Sequence, residues 1–165
     1  MSEWFERFGF TEVAEGLLVG AYPVDADDVA AIAGAGAQVL VNLCEDVEYR
    51  EGERSAVGAA LAHAGIDERR LPVPDYGNLP EDTIDRAVRA VVSDLEAGRT
   101  VYLHCRAGWQ RSATIAAGAV AVREGLGIEQ ALDRVRERKP TAEPLAHQRA
   151  DLLGWWRRRS VGAGS

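Results

Sequence analysis

Residues 104–112 read HCRAGWQRS, nine residues that join two apolar stretches of different character. The run TVYL precedes them and is typical of a buried strand, whereas the alanine-rich run ATIAAGAVAV that follows is typical of a helix. The nine residues therefore form a tight strand-to-helix connection. A cysteine that only packs in a core needs no such surroundings. Cys105 and Arg111, with Gly108 between them, therefore predict a chemical site.

The composition is that of an ordinary globular protein. The chain has 165 residues, of which 47% are hydrophobic and 27% charged, enough for one domain with a substantial core. We therefore interpret residues 1–165 as a single catalytic domain. The formal net charge of −7 argues against a nucleic-acid partner, because nucleic-acid binding usually needs a basic face.

The ends of the chain and its cysteines bear on its location. The opening MSEWFERFGF lacks the pattern of a signal peptide, and no apolar run approaches the ~20 residues that span a bilayer. The two cysteines are expected to be thiols, because an intracellular chain does not usually carry a disulfide framework. We predict a cytoplasmic protein whose ends, 1–5 and 160–165, fray.

Strand and helix patterns alternate through the first two thirds of the chain. The predicted strands are 16–21, 38–43, 68–73 and the segment TVYLHC, and helices lie at 25–34, at 50–64 and between Pro80 and Gly98. Only helices follow Ser112, at 112–124, 128–138 and 144–158. The alternation predicts an α/β fold with a mostly parallel central sheet of four to five strands, flanked by helices, and a helical C-terminal third. Ligands in such folds bind beyond the carboxyl ends of the strands, where residues 104–112 lie.

The loop has the features of a phosphate-binding cup. A tight loop turns successive backbone N–H groups inward, and the helix that begins near Ser112 adds its positive end. Gly108 permits a close approach, and the planar fork of Arg111 suits two phosphate oxygens. The residues expected to bind phosphate are Arg106, Ala107, Gly108, Trp109, Gln110 and Arg111.

Cys105 lies at the bottom of this cup, where positive surroundings favour its thiolate. A thiolate beneath a tetrahedral phosphorus can attack in line and form a phosphocysteine. Ser112 can donate a hydrogen bond to the sulfur and help it leave in a second step, and His104 can tie its imidazole to loop carbonyls. This chemistry needs no metal or other cofactor, and no group of His, Cys and Asp has metal-ligand spacing.

HCRAGWQRS resembles the signature loop of the protein-tyrosine-phosphatase superfamily, in its dual-specificity branch. The stretches WFERF, GLLVGAYP and RAGWQRSAT are similar to the phosphatidylglycerophosphate-phosphatase subgroup, a lipid-directed branch, whereas VNLCEDVEYR departs from its acidic loop by a one-residue shift. The resemblance implies a phosphomonoesterase that acts on phosphotyrosine, with phosphoserine and phosphothreonine as further candidates. A phospholipid headgroup and a soluble phosphate ester are the alternative substrates.

A general acid is the other part that the resemblance implies. The stretch RLPVPDYGNLP, about thirty residues before the cysteine, resembles the mobile general-acid loop of the family. Asp75 is the candidate that protonates the leaving group and later activates water, and Gly77 allows the loop to move. Asp82 is the weaker candidate, because it fits a capping carboxylate at the next helix. The alternative is a plain turn in which Asp75 is a turn-favouring residue.

Cys44 has two interpretations. It ends the strand VNLC as Cys105 ends YLHC, so both cysteines are expected at the same edge of the sheet. Cys44 is either a core residue or a redox partner that captures oxidised Cys105 in a disulfide. The resemblance to lipid-directed relatives, some of which use such a cysteine, implies the second role.

Further alternatives stay open for the C-terminus and for the function. The segment LLGWWRRRS either makes peripheral contact with an anionic membrane or packs its tryptophans inward with a solvated basic end. His63 and His147 are expected to be structural or solvated.

A phosphate-binding module without turnover is the non-enzymatic alternative. The excess of acidic residues disfavours removal of an RNA 5′-phosphate. The oligomeric state is not predicted.

Overall fold

A five-stranded sheet forms the centre of the computed structural model, which describes residues 1–163. In sheet order the strands are β1 (Phe10–Ala14), β2 (Leu17–Gly20), β5 (Val101–His104), β3 (Val39–Asn42) and β4 (Asp67–Arg70). The β1–β2 pair is antiparallel, and the other three pairs are parallel. The predicted fold class is confirmed.

Helices cover both faces of this sheet. They are α1 (Glu3–Phe8), α2 (Ala26–Gly34), α3 (Glu53–Ala64), α4 (Glu81–Glu96), α5 (Arg111–Glu124), α6 (Ile128–Arg138) and α7 (Ala146–Ala163), and a 3-10 turn spans Asp46–Glu48. No described helix has the length and apolarity that a membrane crossing requires.

Two hydrophobic clusters divide the core between the two faces. Leu40 and Tyr102 face one side, where they pack with Phe5 of α1 and with residues of α2 and α3. Val101 and Leu103 face the other side with α4, α5, α6 and α7. Helix α5 is buried along most of its length, which explains why its sequence is rich in alanine and lacks an amphipathic pattern.

The N-terminal region differs from the sequence-based expectation. Strand β1 was not predicted, and the prediction that residues 1–5 fray is wrong, because α1 begins at Glu3 and Phe5 is buried in the core. Residues 164–165 of the other predicted frayed end lie outside the described residues. The predicted strand 68–73 ends at Arg70, although the N–H groups of Leu71 and Val73 still donate to carbonyls of 42 and 43.

The strand register brings several strand ends to one edge of the sheet. His104, the last residue of β5, pairs with Gly20 of β2 on one side and with Asn42 of β3 on the other. The chain then passes directly from β5 through residues 105–110 into α5. Loops that follow β2, β3 and β5 therefore meet at this edge, as expected for a parallel sheet.

Helix α1 is fixed to the molecule by a buried carboxylate of α2. Asp28 is fully buried. It accepts hydrogen bonds from the backbone N–H of Ser2 at 2.9 Å, from the Ser2 hydroxyl at 2.7 Å and from the N–H of Val24 at 3.0 Å. Because Ser2 is also the N-cap of α1, Asp28 orders the start of the chain.

We predict that Asp28→Ala lowers the free energy of unfolding by about 1–3 kcal/mol, because buried donors lose their acceptor. Urea denaturation measures this difference. Asp27→Ala is the matched control: Asp27 is exposed and contacts the terminal amine, so the control should be as stable as the wild type. Equal stability of the two variants would contradict the anchoring role of Asp28.

Candidate active site

The loop of residues 105–110 lies directly against the end of β2. Gly108 has φ +81°, and a Cβ atom at this position would lie 2.7 Å from the Cα of Gly20. Any side chain there would therefore displace the loop. The carbonyl of Arg106 accepts hydrogen bonds from Trp4 Nε1 at 2.8 Å and from the N–H of Tyr22 at 3.1 Å. The loop is thus held by both α1 and the segment after β2.

Cys105 lies at the floor of this loop and is only 3% exposed. Its Sγ is 3.2 Å from the hydroxyl of Ser112 in the first turn of α5. Because a hydroxyl donates to a thiolate, Ser112 can stabilise negative charge on the sulfur. Among the described residues no side chain caps the N-terminus of α5, so the positive end of the helix begins next to the thiol.

Arg111 is fully buried beneath the loop, where it joins three segments of the chain. Its Nη1 donates to the carbonyl of Val73 at 2.8 Å and to Glu48 Oε2 at 2.9 Å, and its Nη2 donates to Glu48 Oε1 at 2.7 Å. Burial acts to lower the pKa of Arg111, but the hydrogen bonds to Glu48 and the charge of Cys105 outweigh it and raise the pKa above its ordinary value. The residue is a permanent cation.

Glu48, in the 3-10 turn after β3, was not singled out in the sequence. Its side chain is 6% exposed and accepts a 2.7 Å hydrogen bond from the N–H of Glu45 in addition to those from Arg111. Burial acts to raise the pKa of Glu48, but these hydrogen bonds outweigh it, so the pKa is lowered. Glu48 is ionised and fixes the plane of the guanidinium.

Asp75 lies on the opposite wall of the site from the loop. Its Oδ1 is 3.1 Å from Arg111 Nη2 and accepts a 3.1 Å hydrogen bond from the N–H of Tyr76. Its side chain is 30% exposed and lines the cavity that contains Cys105. Asp82, the weaker candidate, is exposed in the first turn of α4 and does not line the cavity that contains Cys105.

His104 is buried on the side of β5 opposite to Cys105, next to Tyr102. Its Nδ1 lies 2.9 Å from the carbonyl of Cys105, and because a carbonyl only accepts, this nitrogen carries the proton. Burial lowers the pKa of His104 to about 4. The neutral imidazole therefore contacts a loop carbonyl, as its predicted supporting role requires.

Cys44 is buried, and within the described residues neither cysteine forms a disulfide. Its Sγ lies 3.9 Å from His104 Nδ1. Burial, together with the negative charge of Glu48, raises the pKa of Cys44 well above its ordinary value. The register of β3 against β5 places both cysteines at the same edge of the sheet. The redox role of Cys44 stays a prediction.

A cavity of about 180 Å³ opens above Cys105. Four of the residues predicted to bind phosphate line it, namely Arg106, Ala107, Trp109 and Gln110, together with Asp75. The remaining walls are aromatic and were not assigned from the sequence: Trp4 and Phe8 of α1 and Tyr76 beside Asp75. The ring of Phe8 packs edge-on against Trp109 at 5.4 Å, so α1 forms part of the entrance.

The chain has a cysteine-phosphatase fold. Its features are the central sheet, the tight loop at the carboxyl edge of that sheet, and the buried residues Cys105 and Arg111. The model of one protein family, described as "Polymorphic toxin system, DSP-PTPase phosphatase", matches residues 19–125. The chain belongs to this family of dual-specificity-type phosphatases.

Named relatives agree with this assignment. Over 83% of its length the chain is 30% identical to the phosphatidylglycerophosphate phosphatase PTPMT1 of Arabidopsis thaliana, and it covers 38% of that protein. Over 81% it is 23% identical to the phosphatidylglycerophosphatase and protein-tyrosine phosphatase 1 of Rattus norvegicus and covers 66% of it. The crystal structure of PTPMT1 in complex with PI(5)P superposes with a TM-score of 0.80 and 19% identity, over 93% of this chain and 98% of that one.

We predict that Glu48→Gln lowers the free energy of unfolding at pH 7 by about 2–4 kcal/mol, the range between a lost charge-assisted hydrogen bond and a broken buried ion pair. The pKa of Glu48 is lower in the folded protein than in the unfolded chain, so its contribution is complete above about pH 4.3 and disappears as the pH falls through the folded pKa. Urea denaturation at pH 7 and at a pH below the folded pKa of Glu48 measures the difference.

Glu51→Gln, on the exposed turn nearby, is the control and should match the wild type. If Glu48→Gln is less stable than the wild type by the same amount at both pH values, the ion pair with Arg111 is not the source of the loss.

Proposed function

We propose that the chain is a cysteine-dependent phosphomonoesterase that works through a phosphocysteine. The observation that carries the proposal is that one small cavity has Cys105 at its floor and Asp75 on its wall, and that the buried Arg111 cation lies 3.1 Å from Asp75. A phosphate-binding module would need the cation and the loop. It would not need a thiol paired with a hydroxyl, or a carboxyl group at the entrance.

In the first step the thiolate of Cys105 attacks phosphorus, and an S–P bond forms as the bond to the leaving oxygen breaks. Asp75 gives its proton to that oxygen. Arg111 binds the non-bridging oxygens, with its position already set by Glu48. Because the guanidinium does not have to reorient, its attraction for the developing charge is fully available in the transition state.

In the second step a water molecule attacks the phosphocysteine. Asp75, now a carboxylate, takes a proton from that water, and the S–P bond breaks to release inorganic phosphate. The electron pair returns to sulfur, where the Ser112 hydroxyl 3.2 Å away donates a hydrogen bond. The thiolate is restored and no metal or other cofactor is consumed.

The walls of the cavity favour a phosphate ester with an aromatic leaving group. Trp4, Phe8, Tyr76 and Trp109 surround the entrance, and aromatic rings pack well against a phenol ring. We therefore propose phosphotyrosine as the main substrate. A phospholipid headgroup is the second candidate, supported by the names of the two curated relatives and by the PI(5)P complex of PTPMT1. The predicted cytoplasmic location belongs to the same proposal.

Cys105→Ser tests the proposed reaction. Hydrolysis of p-nitrophenyl phosphate should be abolished, because serine does not ionise in this environment, while binding of inorganic phosphate and urea stability persist because Arg111 and the loop are intact. Turnover within about tenfold of the wild type would remove Cys105 as the nucleophile, since nucleophile loss costs several orders of magnitude. The same assay on a phosphotyrosine peptide and on vesicles of phosphatidylglycerophosphate orders the two substrate candidates by kcat/KM.

A further inference from the structure

Helix α7 contacts the loop that carries Asp75, although the two are about seventy residues apart in sequence. His147 Nε2 lies 2.9 Å from the carbonyl of Tyr76 and 3.2 Å from that of Gly77. Because carbonyl oxygens only accept, Nε2 carries a proton and donates. Gln148, which is fully buried, donates from its side-chain amide to the Gly77 carbonyl at 3.3 Å.

The same helix holds the loop at its far end. Asp151 accepts a 2.8 Å hydrogen bond from the N–H of Leu79. Asp151 follows His147 by four residues and therefore lies on the same face of α7. The amide oxygen of Gln148 accepts from the N–H of Leu145 at 3.0 Å, which fixes the orientation of its donor. Three polar side chains of α7, at positions 147, 148 and 151, thus bind the backbone of the loop.

The loop needs such support because its backbone is strained. Tyr76 has φ +59°, the left-handed region that a bulky side chain rarely adopts. The N–H of Gly77 closes the turn on the carbonyl of Pro74 at 2.9 Å. A strained conformation persists only where surrounding contacts hold it. This turn sets the direction of the Asp75 side chain, which lies between Pro74 and Tyr76 and reaches Arg111.

We propose that His147 and Gln148 are positioning residues that hold Asp75 where it can protonate the leaving group. The inference rests on the proposed function and explains which contacts hold Asp75 in its position. Neither residue touches the reacting atoms. Because Asp75 also acts as the base that activates water in the second step, their effect on the acid role should be measured as kcat/KM, which covers only the steps up to departure of the leaving group.

The choice of leaving group separates this role from a general structural one. Phenyl phosphate releases a basic oxygen that needs a proton, whereas 2,4-dinitrophenyl phosphate releases an anion that is stable without one. Loss of acid catalysis lowers kcat/KM for the first substrate and spares kcat/KM for the second. A damaged phosphate cup would slow both reactions.

The experiment compares kcat/KM for the two substrates in four variants. Asp75→Asn is the reference and should lose about 10²–10⁴-fold with phenyl phosphate. His147→Ala and Gln148→Leu should each lose about 10- to 100-fold in kcat/KM with phenyl phosphate, the cost of a misplaced catalytic group, and should keep the wild-type kcat/KM with 2,4-dinitrophenyl phosphate. His147→Gln should recover most of the loss, because its amide nitrogen can donate in place of Nε2.

Arg149→Ala is the matched control. Arg149 lies on the same helix but pairs with Glu129 of α6, so its removal should leave both reactions unchanged. The rate at which iodoacetate alkylates Cys105 should be the wild-type rate in all α7 variants, which shows that the cup is intact. His147 is exposed, so His147→Ala tests the proposal even if the buried Gln148→Leu fails to fold.

Wild-type kcat/KM of His147→Ala with phenyl phosphate, or an equal loss of kcat/KM with both substrates, would overturn the positioning role. Full activity of Asp75→Asn with phenyl phosphate would overturn it too. If Cys105→Ser is inactive in the same assay, the phosphatase proposal stands, but Asp75 is not its acid. Activity of Cys105→Ser would instead contradict the proposed function itself. The two failures are therefore distinguishable.

Discussion

The buried ion pair of Arg111 and Glu48 is the interaction on which the site depends. A guanidinium that is fully buried needs compensation of its charge, and here Glu48 neutralises that charge while Glu48 and the carbonyl of Val73 accept hydrogen bonds from Nη1 and Nη2. These partners come from the segments after β3 and β4, and Arg111 itself begins α5. The cation therefore ties the loops at the carboxyl edge of the sheet to one geometry. In the proposed reaction a phosphate in the cavity has Cys105 beneath it and Asp75 at its side. The charge of Arg111 is already in place and does not have to move.

Two parts of the fold that lie far apart in sequence complete the site around this pair. From the N-terminus, α1 supplies Trp4 and Phe8 as walls and is itself fixed through Ser2 and Asp28. From the C-terminus, α7 holds the backbone of the acid loop through His147 and Gln148. The reaction proposed above assigns the phosphate to the loop at 105–110. The two terminal helices contribute to the walls above that loop and to the support of the Asp75 loop.

The alternation of strands and helices could be predicted from the sequence, and so could the loop at 104–112 and Asp75, because hydrophobic periodicity and a local motif are properties of neighbouring residues. The residues that were missed act through contacts at long range. Glu48 lies in a short polar turn that looks like any loop, and only the packing of β3 beside β5 brings it to Arg111. His147 was expected to be structural or solvated, since nothing in its own helix shows that its partner is a carbonyl of Tyr76. The short α1 and β1 also lack enough residues for a periodic pattern to stand out.

The central claim is that the phosphoryl group passes through Cys105. Rapid acid quench of the enzyme during turnover of p-nitrophenyl phosphate, followed by peptide mass spectrometry, tests it directly. The account predicts one added phosphoryl group on the peptide that contains Cys105, in larger amount in Asp75→Asn, because that variant lacks the base for the second step. Sustained turnover with no phosphoryl group on Cys105, or with the group on another residue, would contradict it.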